Sequence, residues 1–397
     1  MASHSGLADS AIRIGLEVVR ESLVELIVVA IVAAATLLLT HFRKPIGAFV
    51  KSSKTLLQIW KLIDGDGDIW LKPPVPKQPL NDDLRQARIL TIANLKGGVG
   101  KTTTAANLAA FFALEGAPLN NGRPLSVLLI DLDFQGSLST MALSTQDAIP
   151  QFDDPSRAAR LLGKASLSAS ELFDLAVPVN LAPRDAGDSA GKLKCIPAYY
   201  DLARKENALM VDWLTGRTDD IRVRLLRTLR TFDVRERFDF IIIDAPPRLT
   251  TASIMALAAS THLLIPTILD NLSGQAVGSF CEQIETHRQL WPHLKTIGVV
   301  GSKAHFRNSE LIATERDALI SIEQAIRQVQ NRHNLRQPPA ELLPESTYLK
   351  QDGLFQDAAG NSIVFSAASN SADHEVLRNM VRSLGRTIWN RMNDASP

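Results

Sequence analysis

The chain has 397 residues, 45% hydrophobic and 21% charged, enough length and apolar content for one large domain or two ordinary ones. Its 43 Lys and Arg against 42 Asp and Glu leave a formal net charge of +1, which excludes a global field for nucleic acid or an acidic ligand and leaves such binding to a local patch. The two cysteines, Cys195 and Cys281, stand far apart in no CxxC pattern; this excludes a disulfide framework or zinc ribbon and predicts core thiols in a reducing compartment.

Residues 26–42 read LIVVAIVAAATLLLTHF without a charged side chain. Seventeen helical residues reach roughly 25 Å, slightly short of a bilayer core, and Leu23 and Val24 lengthen the run. A signal peptide fits poorly, because Glu17, Glu21 and Glu25 precede the run and no small-residue cleavage site follows it. The expectation is an N-terminal segment, 1–45, with an anchor helix at about 24–42. Arg43, Lys44, Lys51, Lys54 and Lys61 follow it, placing the C-terminal side in the cytoplasm of a single-pass inner-membrane protein.

Residues 46–81 divide in two. Ile46, Phe49, Val50, Leu56, Leu57, Trp60 and Ile63 among three lysines predict an amphipathic helix, lying on the membrane surface or packed on the next domain. Asp64, Asp66 and Asp68 suggest a calcium loop, but Ile69 and Val75 stand where Gly and Glu are required, so a solvated turn is expected. Pro73, Pro74, Pro76 and Pro79 then predict an extended linker, with the catalytic domain beginning near residue 82.

From residue 89 the pattern changes to strand, glycine-rich loop and helix: an apolar run at 89–93, KGGVGKTT at 96–103, then AANLAAFFALE. Glycines 97, 98 and 100 free backbone N–H groups to face phosphate oxygens, and the helix start adds its positive end. Lys101 supplies a charge for the β- and γ-phosphates and the Thr102 hydroxyl a ligand for Mg²⁺. The predicted nucleotide site is therefore Lys96, Gly97, Gly98, Val99, Gly100, Lys101, Thr102 and Thr103, with ATP and Mg²⁺ as ligands. Further apolar strands, one opening the stretch 126–139 and one ending at Asp244, alternate with helices. They predict an α/β fold with a mostly parallel sheet and helices on both faces, preceded by the transmembrane helix, with ligands at the carboxyl ends of the strands. The polar stretch 145–190 reads as an insertion.

Leu95 stands where the standard phosphate loop has glycine, and Lys96 follows it. This deviant Walker A motif resembles the ParA/Soj/MinD family of dimerising ATPases. The resemblance extends to IDLDFQG at 130–136, where the family has DxDPQG and Phe134 replaces proline, and to FIIIDAPP at 240–247. It covers about residues 88–305 well. It implies that Lys96 reaches the nucleotide of a partner copy, that Asp133 orients or activates the attacking water, and that Lys101 assists catalysis. It also implies that Thr102, Asp131, Asp133 and Asp244 serve the Mg²⁺ shell. A homodimer formed on ATP binding, a regulatory protein that stimulates slow hydrolysis, and a role in partitioning or spatial organisation follow from the same resemblance.

Two other functional classes compete. Bacterial tyrosine kinases join a membrane segment to this kind of core but carry a tyrosine-rich tail, whereas here the tyrosines are at 199, 200 and 348. A nucleotide-binding scaffold without turnover is the other. On the last helix, about 373–392, Arg378, Arg382, Arg386 and Arg391 could meet DNA phosphates, but a solvated face pairing with acids is the favoured reading.

Overall fold

The computed structural model describes residues 68–71, 88–143, 154–181, 191–308, 310–350, 363 and 372–393. The chain divides into two compact units, residues 1–66 and 67–397, and all the described residues belong to the second.

The strands form where short apolar runs rich in Ile, Leu and Val lie between turn residues. In chain order the elements are β1 (Ile89–Ile92), α1 (Lys101–Glu115), β2 (Ser126–Asp131), α2 (Ser137–Ala142), α3 (Arg157–Gly163), α4 (Ala169–Leu175), β3 (Val177–Pro178) and β4 (Lys192–Ile196). Then follow α5 (Asp201–Leu214), α6 (Arg224–Leu229), α7 (Phe232–Arg237), β5 (Phe240–Asp244), α8 (Thr251–Ala259), β6 (His262–Ile268), α9 (Ser273–Thr286) and β7 (Lys295–Ala304). A hairpin of β8 (Phe306–Arg307) and β9 (Glu310–Leu311), α10 (Ala313–Arg332), β10 (Leu349–Lys350) and α11 (Ala372–Asn393) complete the unit.

Eight strands form one sheet in the order β10-β7-β6-β1-β5-β2-β4-β3. Every pairing is parallel except that of β3 with β4. All four residues of β1 and all five of β5 are buried, so alternate side chains meet protein on both faces and both faces are covered by other elements. α1 packs against α11, α8 against α5 and α6, and α9 against α10. Cys195 and Cys281 are free and buried, as the composition predicts.

The structure bears on three sequence expectations. The stretch read as an insertion is part of the core over its described residues: Leu161, Leu162, Leu172 and Leu175 are buried, and β3 adds the antiparallel edge strand. Ser168 and Glu171 form a reciprocal capping box that starts α4 locally. The turn expected around Asp68 is present, with Asp68 exposed and Leu71 N donating to Asp68 O at 2.9 Å, but it is docked, with Trp70 only 6% exposed and stacked on Trp213. Burial of an indole against a second indole holds that turn to the domain.

The third is a correction of the expected location in the inner membrane. Among the described residues no helix is long and apolar enough to cross a membrane. The fully buried helix α8 is nine residues long and α1 is 15, while the 20-residue α10 and 22-residue α11 carry charged faces. The segment at about 24–42 on which the anchor rested, and the amphipathic helix after it, lie outside the described residues.

Candidate nucleotide site

The loop after β1 is pinned to its other neighbour before it turns. Ala93 N donates to Leu264 O at 3.1 Å, and Asn94 Nδ2 donates to Pro266 O at 2.8 Å. The loop then passes Gly98 at φ +71° and Gly100 at φ +79°, left-handed conformations that L side chains rarely adopt. A Cβ built on Gly97 or Gly98 would meet nothing within 4 Å, so this side of the loop is open to a ligand. On the other side Ser302 Oγ donates to Val99 O at 2.6 Å and fixes the loop to β7. No side chain caps the start of α1, which leaves its first N–H groups facing the same space.

Lys101 is 7% exposed and donates to Lys96 O at 3.1 Å. Burial lowers its pKa, with Asp244 and Asp133 pulling the other way. The Lys96 ammonium is turned within its own chain to Asp270, 2.5 Å away, across 174 residues of sequence. Asp270 also accepts from Leu272 N at 3.1 Å and Ser273 Oγ at 2.8 Å. Burial pushes its carboxyl up, but the bonds from Lys96, Ser273 and Leu272 outweigh that and leave it below the usual carboxylate range.

The carboxylates meet because the sheet is in register: Asp131 faces Asp244 across β2 and β5, and Ile92 faces Asp244 across β1 and β5. They are not equivalent. Asp131 Oδ1 accepts from Asp133 N at 3.0 Å, and Oδ2 accepts from Ser139 N at 2.9 Å and Ser139 Oγ at 2.7 Å. Both oxygens thus brace the loop that carries Asp133. Burial pushes the Asp131 carboxyl up to about 6, against these hydrogen bonds. Asp133 is half-buried, with Oδ1 accepting from Gln135 N at 3.1 Å.

Asp244 is 1% exposed, and neither oxygen has a hydrogen-bond partner among the described residues. Burial raises its pKa well above the ordinary value and the Asp131 charge adds to this, while the Thr102 hydroxyl and Lys101 oppose it. A buried carboxyl whose hydrogen bonds are not formed is costly unless a ligand completes it. Asp244 beside Thr102 therefore fits a hydrated Mg²⁺ brought in with phosphate. Among the described residues no cluster of three or more His, Cys, Asp or Glu side chains could hold a metal alone.

Sequence reasoning did not single out Asp270, Asn94 or Ser302. Each lies outside the phosphate-loop motif; Asp270 and Ser302 reach the loop through the sheet order, which also gives Asn94 its partner on β6. On α11, Arg378 pairs with Glu375 at 3.3 Å, Arg382 with Glu115 at 2.6 Å and Glu375 at 2.7 Å, and Arg391 donates to Ile297 O at 2.5 Å. Three of the four arginines considered for DNA are thus engaged within the protein.

A glycine-turned loop leading into an uncapped helix, with a buried lysine and an unsatisfied carboxyl on the next strand, defines a P-loop nucleotide-binding protein. The model of a family described as an AAA domain matches residues 87–296. The chromosome partitioning protein ParA of Caulobacter vibrioides is 32% identical over 225 residues, which cover 56% of this chain and 72% of that protein. The chain belongs to the ParA/MinD-type AAA domain family of P-loop ATPases. A Sinorhizobium fredii protein named for replication is 29% identical over 235 residues, 56% of this chain and 49% of that protein, so the chain spans about half of that relative's length. The fold is similar to that of Cyanothece McdA solved as an ATP complex, with TM-score 0.55 and 18% identity, over 76% of this chain and 96% of that one.

Proposed function

We propose that the protein hydrolyses Mg²⁺-bound ATP and works as a dimerisation switch in partitioning or spatial organisation of a cargo, under a partner protein that stimulates hydrolysis. The observation that carries this reading is Asp244, buried without a hydrogen-bond partner between Thr102 and Lys101 at the head of α1. The loop N–H groups and the α1 N-terminus bind the phosphates, and Lys101 neutralises charge on them. Thr102 and Asp244 hold Mg²⁺ directly or through water; when bound, the ion draws charge from the phosphate oxygens. Asp133, on the loop braced by Asp131, orients the attacking water and takes its proton.

Lys96 gives the reading its switch. Its tie to Asp270 is an ion pair one quarter exposed on the lysine side and 42% exposed on the aspartate side. Such a pair is worth little, so phosphate of a second copy's nucleotide can compete for the ammonium. The naming of the Caulobacter relative for chromosome partitioning supports the cargo class.

The test is the mass of the full chain in solution with ADP and with ATP, together with its phosphate release. An ATP-dependent dimer is expected, stabilised by Asp133→Ala with turnover down by about 10²-fold or more, and lost in Lys96→Ala. A protein that binds ATP yet stays monomeric and never releases phosphate would sink the reading.

A further inference from the structure

A groove of about 500 Å³ leads from the loop of Asp133 to the first described residues of the chain. Its floor is one face of α5, with Ala203, Glu206, Asn207 and Met210 at i, i+3, i+4 and i+7, a length of about 10 Å. Asp133 lies at the Ala203 end, because it follows β2, the parallel neighbour of the β4 strand that feeds α5. Trp70 closes the Met210 end, stacked on Trp213 with ring centroids 5.8 Å apart. The facing wall is the loop 246–251 between β5 and α8.

Trp70 is fixed from several sides. Its N–H donates to Asp68 Oδ1 at 2.8 Å, and its carbonyl accepts from Arg222 Nη1 at 2.6 Å. Asp68 Oδ2 lies 2.8 Å from Nε2 of the buried His287, and the Arg222 guanidinium stands 4.9 Å from the Trp213 ring centroid. From α5 the contact continues to the catalytic side. Glu206 Oε1 accepts from Ala252 N at 2.7 Å at the head of α8, and Thr251 Oγ1 donates to Glu206 O at 3.5 Å. The loop that ends there starts directly after Asp244.

We propose that Trp70 is a positioning residue for ATP hydrolysis: docked on Trp213, it sets α5 and hence the 245–251 loop that faces Asp133 across the groove. The proposal rests on the ATPase reading above. It separates turnover from binding, because the phosphate loop is pinned to β6 and β7, on the far side of β1 from α5 and its groove. Trp70 lies before residue 87, where the family match begins.

Steady-state phosphate release by the full chain, across ATP concentrations at saturating Mg²⁺, tests it in wild type, Trp70→Ala and Trp70→Phe. Trp70→Ala is expected to lower kcat about tenfold with KM within twofold, and Trp70→Phe to restore most of it by keeping an aromatic face on Trp213. A folded Trp70→Ala with wild-type kcat overturns the proposal, as does a joint loss of kcat and rise in KM that Trp70→Phe leaves uncorrected. Should Trp70→Ala fail to fold, Asp68→Ala, which keeps the indole and releases its tether, must still lower kcat; an unchanged value overturns the proposal. A wild type that releases no phosphate removes the ATPase reading itself and the strap's role with it.

Discussion

The buried charges at the carboxyl end of the sheet differ in kind from those elsewhere in the domain. At the site, Asp244 has no hydrogen-bond partner among the described residues, and Lys101 donates to one carbonyl. Away from it, Arg222 binds both oxygens of Asp220 and the Trp70 carbonyl, and Arg230 donates to the carbonyls of Ala259 and Ser260. His262, at the amino end of β6, contacts Thr261 Oγ1 and is held uncharged, its pKa lowered to about 4 by burial and then by Lys295, Arg230 and Arg88. Arg222 and Arg230 are completed within the fold, as Asp131 is at the site, whereas Asp244 stays incomplete until a ligand arrives.

This contrast can be broken at either end. Arg222→Ala should be the largest change, lowering unfolding free energy by about 3–5 kcal/mol because Asp220 and the Trp70 carbonyl lose a buried partner; denaturant titration reads it. A loss under 1 kcal/mol would place Arg222 with the dispensable surface charges.

His262 gives the next effect, through pH. Its folded pKa lies below the unfolded value near 6.5, so the unfolded chain takes the proton first as pH falls. The stability from this group is full above pH 6.5 and lost on the way down to about pH 4, roughly 3 kcal/mol in all. His262→Gln should flatten the melting temperature between those limits relative to wild type. Parallel curves would show that His262 does not titrate as described.

Smaller effects test the site end. Lys101→Ala should weaken Mg²⁺-ATP binding by about 10- to 100-fold, the value of a hydrogen bond to a charged group, as measured by calorimetry. Asp244→Asn should raise the stability of the nucleotide-free protein by about 1 kcal/mol by removing an uncompensated carboxyl, while abolishing Mg²⁺-dependent turnover. A destabilised Asp244→Asn would erase the distinction between the two regions.

Much of this was legible because its signals are local. Strands at 89–92, 126–131, 240–244 and 262–268 announce themselves as short apolar runs, and KGGVGKTT carries its loop geometry in its glycines. Asp131 and Asp244 were legible as strand-end acids. Their unequal states were not, because only the loop path after β2 decides that Ser139 and the Asp133 amide bond Asp131 while Asp244 has the Thr102 hydroxyl nearby but no formed hydrogen bond.

The sequence by itself determined the strand–loop–helix order, the phosphate loop and the acids at the strand ends, since backbone conformation there follows from residue period and glycine placement. Only the tertiary structure decided that β6 lies beside β1 and so brings Asp270 to Lys96, that residues 154–181 join the core, and that Trp70, within its turn, stacks on Trp213. Those pairings join residues far apart in the chain, and their partners are chosen by which surfaces the crossovers bring together, a choice no local pattern encodes.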